Sequence, residues 1–198
     1  MNIDTEHLHY WMQAIRQSKD PIRTMDAFWS GQLKSKEWLV NNLAQFIKTE
    51  VSIEINGGWV GTLASLIFQS EITCSTIRSI DIDPNCAEIA TMMNKKEEMQ
   101  GRFTALTSDM CAVTSNADVV INTSCEHITQ YRYDLWLKNI PKNSLLVLQS
   151  NDYDIPEHIR TAKSLKHFKD QCGPLDFLWE GSLQLPLYTR FMVIARPS

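Results

Sequence analysis

The chain has 198 residues, enough for one domain with a sizeable core, and its 43% apolar and 21% charged residues are ordinary for a soluble globular protein. A formal net charge of −4 excludes an overall basic footprint for nucleic acid and leaves small molecules or a protein surface as the favoured partners. Five cysteines without a CxxC pair argue against a disulfide framework or structural zinc site and for a reducing cytoplasm, while no apolar run reaches the ~20 residues of a membrane span and MNIDTEHLHYW lacks the order of a secretory signal.

The predicted elements begin with helices. Leu8, Trp11, Met12 and Ile15 fall at helical spacing over residues 4 to 18, with Asp4 or Thr5 as N-cap. Asp20-Pro21 restarts the chain, a second helix covers 22 to 29, and KSKEWLVNNLAQFIKT forms a third with Trp38, Leu39, Leu43, Phe46 and Ile47 on one face. Residues 1–49 therefore read as a helical extension: a lid, a homodimer surface or plain core packing. Residues 50–198 read as a Rossmann-like domain.

There the rhythm turns to strand-helix alternation. Val51–Ile55 is a strand and Thr62–Gln69 a helix; STIRSIDI is a strand and Asn85–Lys96 a helix; RFTALTSD and ADVVINTS are the next strands. A helix over Tyr131–Asn139 precedes the strand SLLVLQS, and helix is expected at His158–Lys163 and Leu165–Asp170. LDFLWEGSLQL and TRFMVIAR follow too closely for a crossover helix, so they pair antiparallel. The sum is a doubly wound α/β fold, a mostly parallel seven-stranded sheet with a C-terminal antiparallel hairpin and the N-terminal helical extension.

In such sheets the ligand lies beyond the carboxyl ends of the strands, where Gly57, Gly58 and Gly61 occur in the spacing G-G-x-x-G. That spacing is neither the dinucleotide pattern nor a phosphate loop, since no G-K-[ST] follows. A packing role for the glycines stands beside a ligand role. Asp81 ends the second strand about 20 residues on, the spacing at which a carboxylate accepts from ribose hydroxyls, and Asp109 ends the third, where it can accept from an adenine amine. For both acids a cap is the plainer alternative.

With these motifs the sequence resembles the class I S-adenosylmethionine-dependent methyltransferases: IEINGGWVG matches their glycine motif, SIDIDPNCAEIA their acidic loop, SDM their adenine contact and ADVVINTSCEH their fourth-strand motif. IDIDPNCAEIA is close to the stretch in small-molecule members such as catechol O-methyltransferase. The resemblance covers about residues 50 to 197. It implies S-adenosylmethionine as cofactor, with Asp81 on the ribose, Asp109 and Met110 at the adenine, Gly57 and Gly58 at the methionine end, Glu54 orienting the amino group and Asn122 in the fourth-strand motif. Trp59 departs from the pattern, standing where a small residue is commoner, and either covers the cofactor or packs.

Methyl transfer from a sulfonium is an in-line displacement in which the protein mainly aligns the nucleophile. NTSCEHIT leaves the fourth strand where the methyl group projects. His127 is the candidate base and Glu126 the group that orients it or binds a cationic acceptor; each has a structural alternative. Cys125 is a substrate-side candidate that reads more simply as a small hydrophobe. After the fifth strand, Asn151 and Tyr153 are pocket candidates. Arg190 needs a partner, with Glu180 the plain expectation. No metal is assigned: a site would need two or three oxygen ligands converging at the pocket, for which Asp109 and Asn122 are candidates by position alone. The expected function is methyl transfer to a small-molecule acceptor. Another use of the same cofactor (aminocarboxypropyl transfer, cyclisation or elimination) and a non-catalytic nucleoside-binding module are the alternatives.

Overall fold

The alternating segments assemble into one seven-stranded sheet in a computed structural model that describes residues 4–198. In chain order the strands are β1 (Val51–Asn56), β2 (Cys74–Asp81), β3 (Phe103–Thr107), β4 (Val119–Asn122), β5 (Leu145–Asn151), β6 (Leu175–Gln184) and β7 (Thr189–Pro197). They lie side by side as β3-β2-β1-β4-β5-β7-β6. The first five are parallel, and β7 is antiparallel to β5 and β6 on either side of it. The chain's direction of travel across the sheet reverses between β1 and β4, and a crevice forms beyond their carboxyl ends.

Both faces of the central strands are covered, which is why they read as unbroken apolar runs. Successive residues alternate between the two sides: Val119 and Ile121 of β4 join one core, with Val147 of β5 and Ile194 of β7. Val120, Leu146 and Val193 join the other, with Trp136 and Phe168.

The helices are α1 (Thr5–Gln17), α2 (Pro21–Asp26), α3 (Ser30–Leu43), α4 (Thr62–Phe68), α5 (Cys86–Met93), α6 (Lys95–Met99), α7 (Gln130–Leu137) and α8 (Leu165–Cys172). Trp11 of α1 and Leu39, Val40 and Leu43 of α3 belong to the same core as β1 and α4, so the N-terminal helices are packed onto the sheet. The face of α1 differs from expectation. It buries His7, Trp11 and Ala14 and leaves Leu8 and Met12 exposed at 46% and 53%. Two buried polar anchors select this rotation: Trp11 Nε1 donates to Ser65 Oγ at 2.9 Å, and His7 Nε2 meets Glu97 Oε1 at 3.0 Å. An unmade hydrogen bond at a buried group costs more than a partly exposed aliphatic side chain gains.

The third helix begins earlier than predicted, at Ser30, and the helix expected over His158–Lys163 is absent. There the backbone bonds outward instead: Arg160 N donates to Glu126 O at 3.0 Å and Ala162 N to Asn151 O at 2.8 Å. The segment after β5 is thereby held as an irregular loop against the crevice.

Candidate functional site

A cavity of about 830 Å³ opens beyond the carboxyl ends of β1, β2, β4 and β5, at the upper end of the range for small-molecule sites. One half is built from local turns. β1 runs straight into Gly57, whose φ of +67° is accessible to glycine without steric cost, and a Cβ there would lie 2.8 Å from Ser124 Oγ in the facing loop. Gly61 is needed for a different reason: its φ is +80°, and a Cβ would come 3.0 Å from Ala90 of α5. Trp59 takes a φ of +48°, a conformation uncommon for a non-glycine residue, and lines the cavity while packing partly against the core.

What holds that strained turn is Asp81. Its Oδ2 accepts from Trp59 N at 2.8 Å and its Oδ1 from Asp83 N at 3.0 Å. Each oxygen keeps acceptor capacity beyond the one amide it takes, and Asp81 lines the cavity. At the next strand end Asp109 caps a short 3-10 turn, Met110–Ala112, through Cys111 N at 2.9 Å, and its other oxygen pairs with Arg132 of α7. The Arg132 guanidinium, with the Cys111 amide behind it, holds the Asp109 carboxyl below its ordinary range. Met110 lines the cavity beside Asn122, whose Oδ1 accepts from Ser124 N.

The other half is a web of side chains from distant segments. Glu126 sits in a 3-10 turn, Cys125–His127, and is 2% exposed. Its Oε1 accepts from Asn151 Nδ2 at 2.6 Å and from Arg190 Nη1 at 2.7 Å; its Oε2 has no donor among the described residues. Arg190 also donates to Gln149 Oε1 at 3.2 Å and to the Thr123 carbonyl. Ser35 Oγ of α3 donates to that same Gln149 oxygen at 3.2 Å, so α3 is hydrogen-bonded into the web. Next to Ser35 stands Lys36, a residue of the cavity wall whose amine donates to Gln32 Oε1 at 2.8 Å. Burial, with the charge of Arg190 adding to it, pushes the Lys36 amine down to about 7.

His127 and His158 complete this half. The His127 ring meets the Glu157 carbonyl through Nδ1 at 3.1 Å and the His158 ring meets the Tyr153 carbonyl through Nδ1 at 2.7 Å. A carbonyl only accepts, so each Nδ1 carries a proton, and the neutral form of each ring has its lone pair on Nε2. The rings lie edge to face, 4.6 Å apart. Tyr153 stacks on Tyr188 at 5.5 Å, and both line the cavity.

No family model matches the chain, and no curated protein does. Solved structures do match. Magnesium protoporphyrin IX methyltransferase (ChlM) from Synechocystis PCC 6803 with bound S-adenosylhomocysteine is similar with a TM-score of 0.65 and 14% identity, over 98% of this chain and 95% of that one. Coclaurine N-methyltransferase bound to N-methylheliamine and S-adenosylhomocysteine gives 0.63 and 9%, over 82% and 73%. The Bacillus subtilis M1A22 tRNA methyltransferase TrmK gives 0.61 and 12%, over 80% and 65%. The chain has the class I methyltransferase fold. That fold carries both small-molecule and tRNA methylation among these neighbours, so it does not by itself choose an acceptor.

Within the methyltransferase fold, Gly57, Gly58, Trp59, Asp81, Asp109, Met110 and Asn122 line the cavity, as do Glu126, His127, Asn151 and Tyr153. Three expectations are corrected. Glu54 is absent from the cavity wall: strand alternation turns it, with Asn56, away from the opening, and it pairs with Arg78 of β2. Cys125 is buried in the core between Val120 and Trp136, and burial pushes its thiol well up. Arg190 pairs with Glu126 across the crevice; Glu180 pairs with Lys169 on the outer surface. Asn151 reaches the wall but spends both amide atoms internally, since its Oδ1 accepts from Tyr153 N, so it positions Glu126 and the loop.

Sequence reasoning missed Arg132, Lys36 and Gln149. Arg190 in an apolar strand is the signal that the sequence offers for the web.

Proposed function

We propose that the chain is an S-adenosylmethionine-dependent methyltransferase acting on a small-molecule acceptor. The observation that carries this reading is Asp81: a carboxylate fixed by two backbone amides at the cavity wall, beside the Gly57 turn, with lone pairs left for vicinal hydroxyls. The ribose of an adenosyl group is the ligand that this arrangement suits, and the neighbours with bound S-adenosylhomocysteine support it. Met110 and Asp109 flank the expected adenine position, with Arg132 sharing Asp109. Gly57, Gly58 and Asn122 surround the methionine end. Glu54 has no part in the reading.

The acceptor lies in the web-lined half, between the stacked Tyr153 and Tyr188 and the histidines. His127, protonated on Nδ1, offers Nε2 as a base for a hydroxyl or amine nucleophile. Glu126, held by Arg190 and Asn151, supplies a buried negative charge beside it. The N-terminal helices act as a cap: Arg23 and Trp29 join Lys36 in the wall. Free cysteines throughout suit a reducing cytoplasm.

Calorimetry with S-adenosylmethionine, S-adenosylhomocysteine and NAD tests the cofactor. Binding of NAD without the adenosyl compounds rejects it. Release of S-adenosylhomocysteine identifies methyl transfer, whereas methylthioadenosine would show transfer of the aminocarboxypropyl group.

A further inference from the structure

We propose that Glu126, His127 and His158 form a binding site for a divalent transition-metal ion, open on the side that faces the acceptor. This departs from the sequence reading, which assigned no metal. One ring nitrogen of each imidazole and a carboxylate oxygen of Glu126 lie within 4.8 Å of one another. Ligands about 2.1 Å from a shared tetrahedral ion stand about 3.4 Å apart, so the three must draw in by about an ångström. The three sit on two irregular segments, Glu126 and His127 in the turn after β4 and His158 in the segment after β5, and closing these segments toward each other supplies that movement.

Three further observations make this a built site. Both Nδ1 atoms donate to backbone carbonyls, of Glu157 and Tyr153, which is the outer arrangement that fixes the tautomer and leaves Nε2 as the ligand atom for an ion. The Glu126 carboxylate is clamped at Oε1 by Arg190 and Asn151, while its Oε2, buried, finds no donor among the described residues. A carboxylate oxygen left bare in a dry environment is costly unless something positive meets it. Third, burial is graded, with Glu126 buried, His158 half-buried and His127 exposed, so the open coordination positions face the cavity that all three line. Arg190 is the nearest cation, and its charge is already engaged with Oε1.

Two imidazoles and one carboxylate suit zinc or another first-row ion rather than magnesium or calcium, which need more oxygen ligands. Three protein ligands with open positions are the pattern of a reactive site rather than a structural one. There the ion would hold an acceptor hydroxyl, or a vicinal pair of oxygens, and lower its pKa; the proton would leave to solvent and the oxygen lone pair would attack the methyl carbon as its bond to sulfur breaks, with S-adenosylhomocysteine departing as the neutral thioether. In that case His127 is a ligand instead of a base. This consequence rests on the methyl-transfer reading; metal binding itself does not.

The test uses the whole chain, stripped of metal, titrated calorimetrically with Zn²⁺ and with Mg²⁺, and with Co²⁺ followed by visible absorption. The expected result is about one equivalent of Zn²⁺, no heat with Mg²⁺, and Co²⁺ ligand-field bands without a thiolate charge-transfer band. His158→Ala and His127→Ala should each weaken Zn²⁺ more than about 100-fold, since even outer-shell changes cost about 10–100-fold. Neither histidine is buried, so both variants should fold, which circular dichroism checks. Asp81→Asn should keep Zn²⁺ affinity while adenosyl affinity falls about 10- to 100-fold, which separates failure of the metal site from failure of the cofactor reading. Absent binding, binding that survives both histidine variants, or a cobalt thiolate band from the cysteines would mean an adventitious ion only and overturn the proposal.

Discussion

The two halves of the cavity are made in different ways. The β1–β3 half is a series of strand-end turns, each held by a carboxylate accepting backbone amides within a few residues or at the neighbouring strand: Asp81 with Trp59 and Asp83, Asp109 with Cys111. The β4–β7 half is a side-chain web in which Glu126, Asn151, Gln149, Arg190 and Ser35 come from four elements up to 155 residues apart in the chain. The first half stays in place because turns are local and cheap to order. The second depends on every member being satisfied, because a charge that loses its partner stays buried.

Breaking the web should therefore cost most. Arg190→Met leaves Glu126 buried without its cation, and urea unfolding should show a loss of about 3–5 kcal/mol, with the double variant Arg190→Met/Glu126→Gln recovering part of it. A loss under about 1 kcal/mol would mean that the two halves do not differ in this way.

The local half should lose more in binding than in stability. Asp81→Asn removes charge-assisted hydrogen bonds of about 1.5–3 kcal/mol, so S-adenosylhomocysteine affinity should fall about 10- to 100-fold in calorimetry, while the one turn amide that Asn can no longer accept from lowers the melting point less than Arg190→Met does. Unchanged affinity would remove the central support for the proposed function.

Lys36 gives a pH signature to the web side. Its amine titrates at about 7 in the folded chain against 10.5 when unperturbed. Between those values the unfolded chain holds more protons, so this group makes stability rise with pH through that window, and its full penalty stands below pH 7. Lys36→Met should raise the melting temperature at pH 6 and flatten the rise measured from pH 7 to 10. A wild-type profile without that rise would show the amine to be charged and partnered at neutral pH.

The smallest effect belongs to Arg132. Its pair with Asp109 is 42% and 35% exposed at the side chains, so Arg132→Ala should cost less than about 1 kcal/mol in the same urea titration. A larger loss would place Asp109 with the web rather than the turns.

The contrast also explains what could be read from the chain. The strand-helix alternation, the antiparallel ending and the positions of Gly57, Asp81 and Asp109 each depend on neighbours close in sequence or on an element's own periodicity. Boundaries were misjudged where a distant partner intervened, as where Asn151 and Glu126 take the amides of the segment after β5. Glu54 was misplaced because the motif gives a position on a strand, while the pairing with Arg78 decides which way the side chain serves.

By itself the sequence determined the seven-stranded α/β sheet, the crevice at the reversal of strand order and the turns that carry Asp81 and Asp109. Periodicity and turn chemistry act over a few residues and leave a direct trace there. Only the tertiary structure decided that Arg190 meets Glu126 rather than Glu180, that Lys36 faces the cavity, and that His158 stands beside His127. Those pairings come from which strand ends the sheet order brings together, and that order is fixed by the packing of two cores against both faces at once.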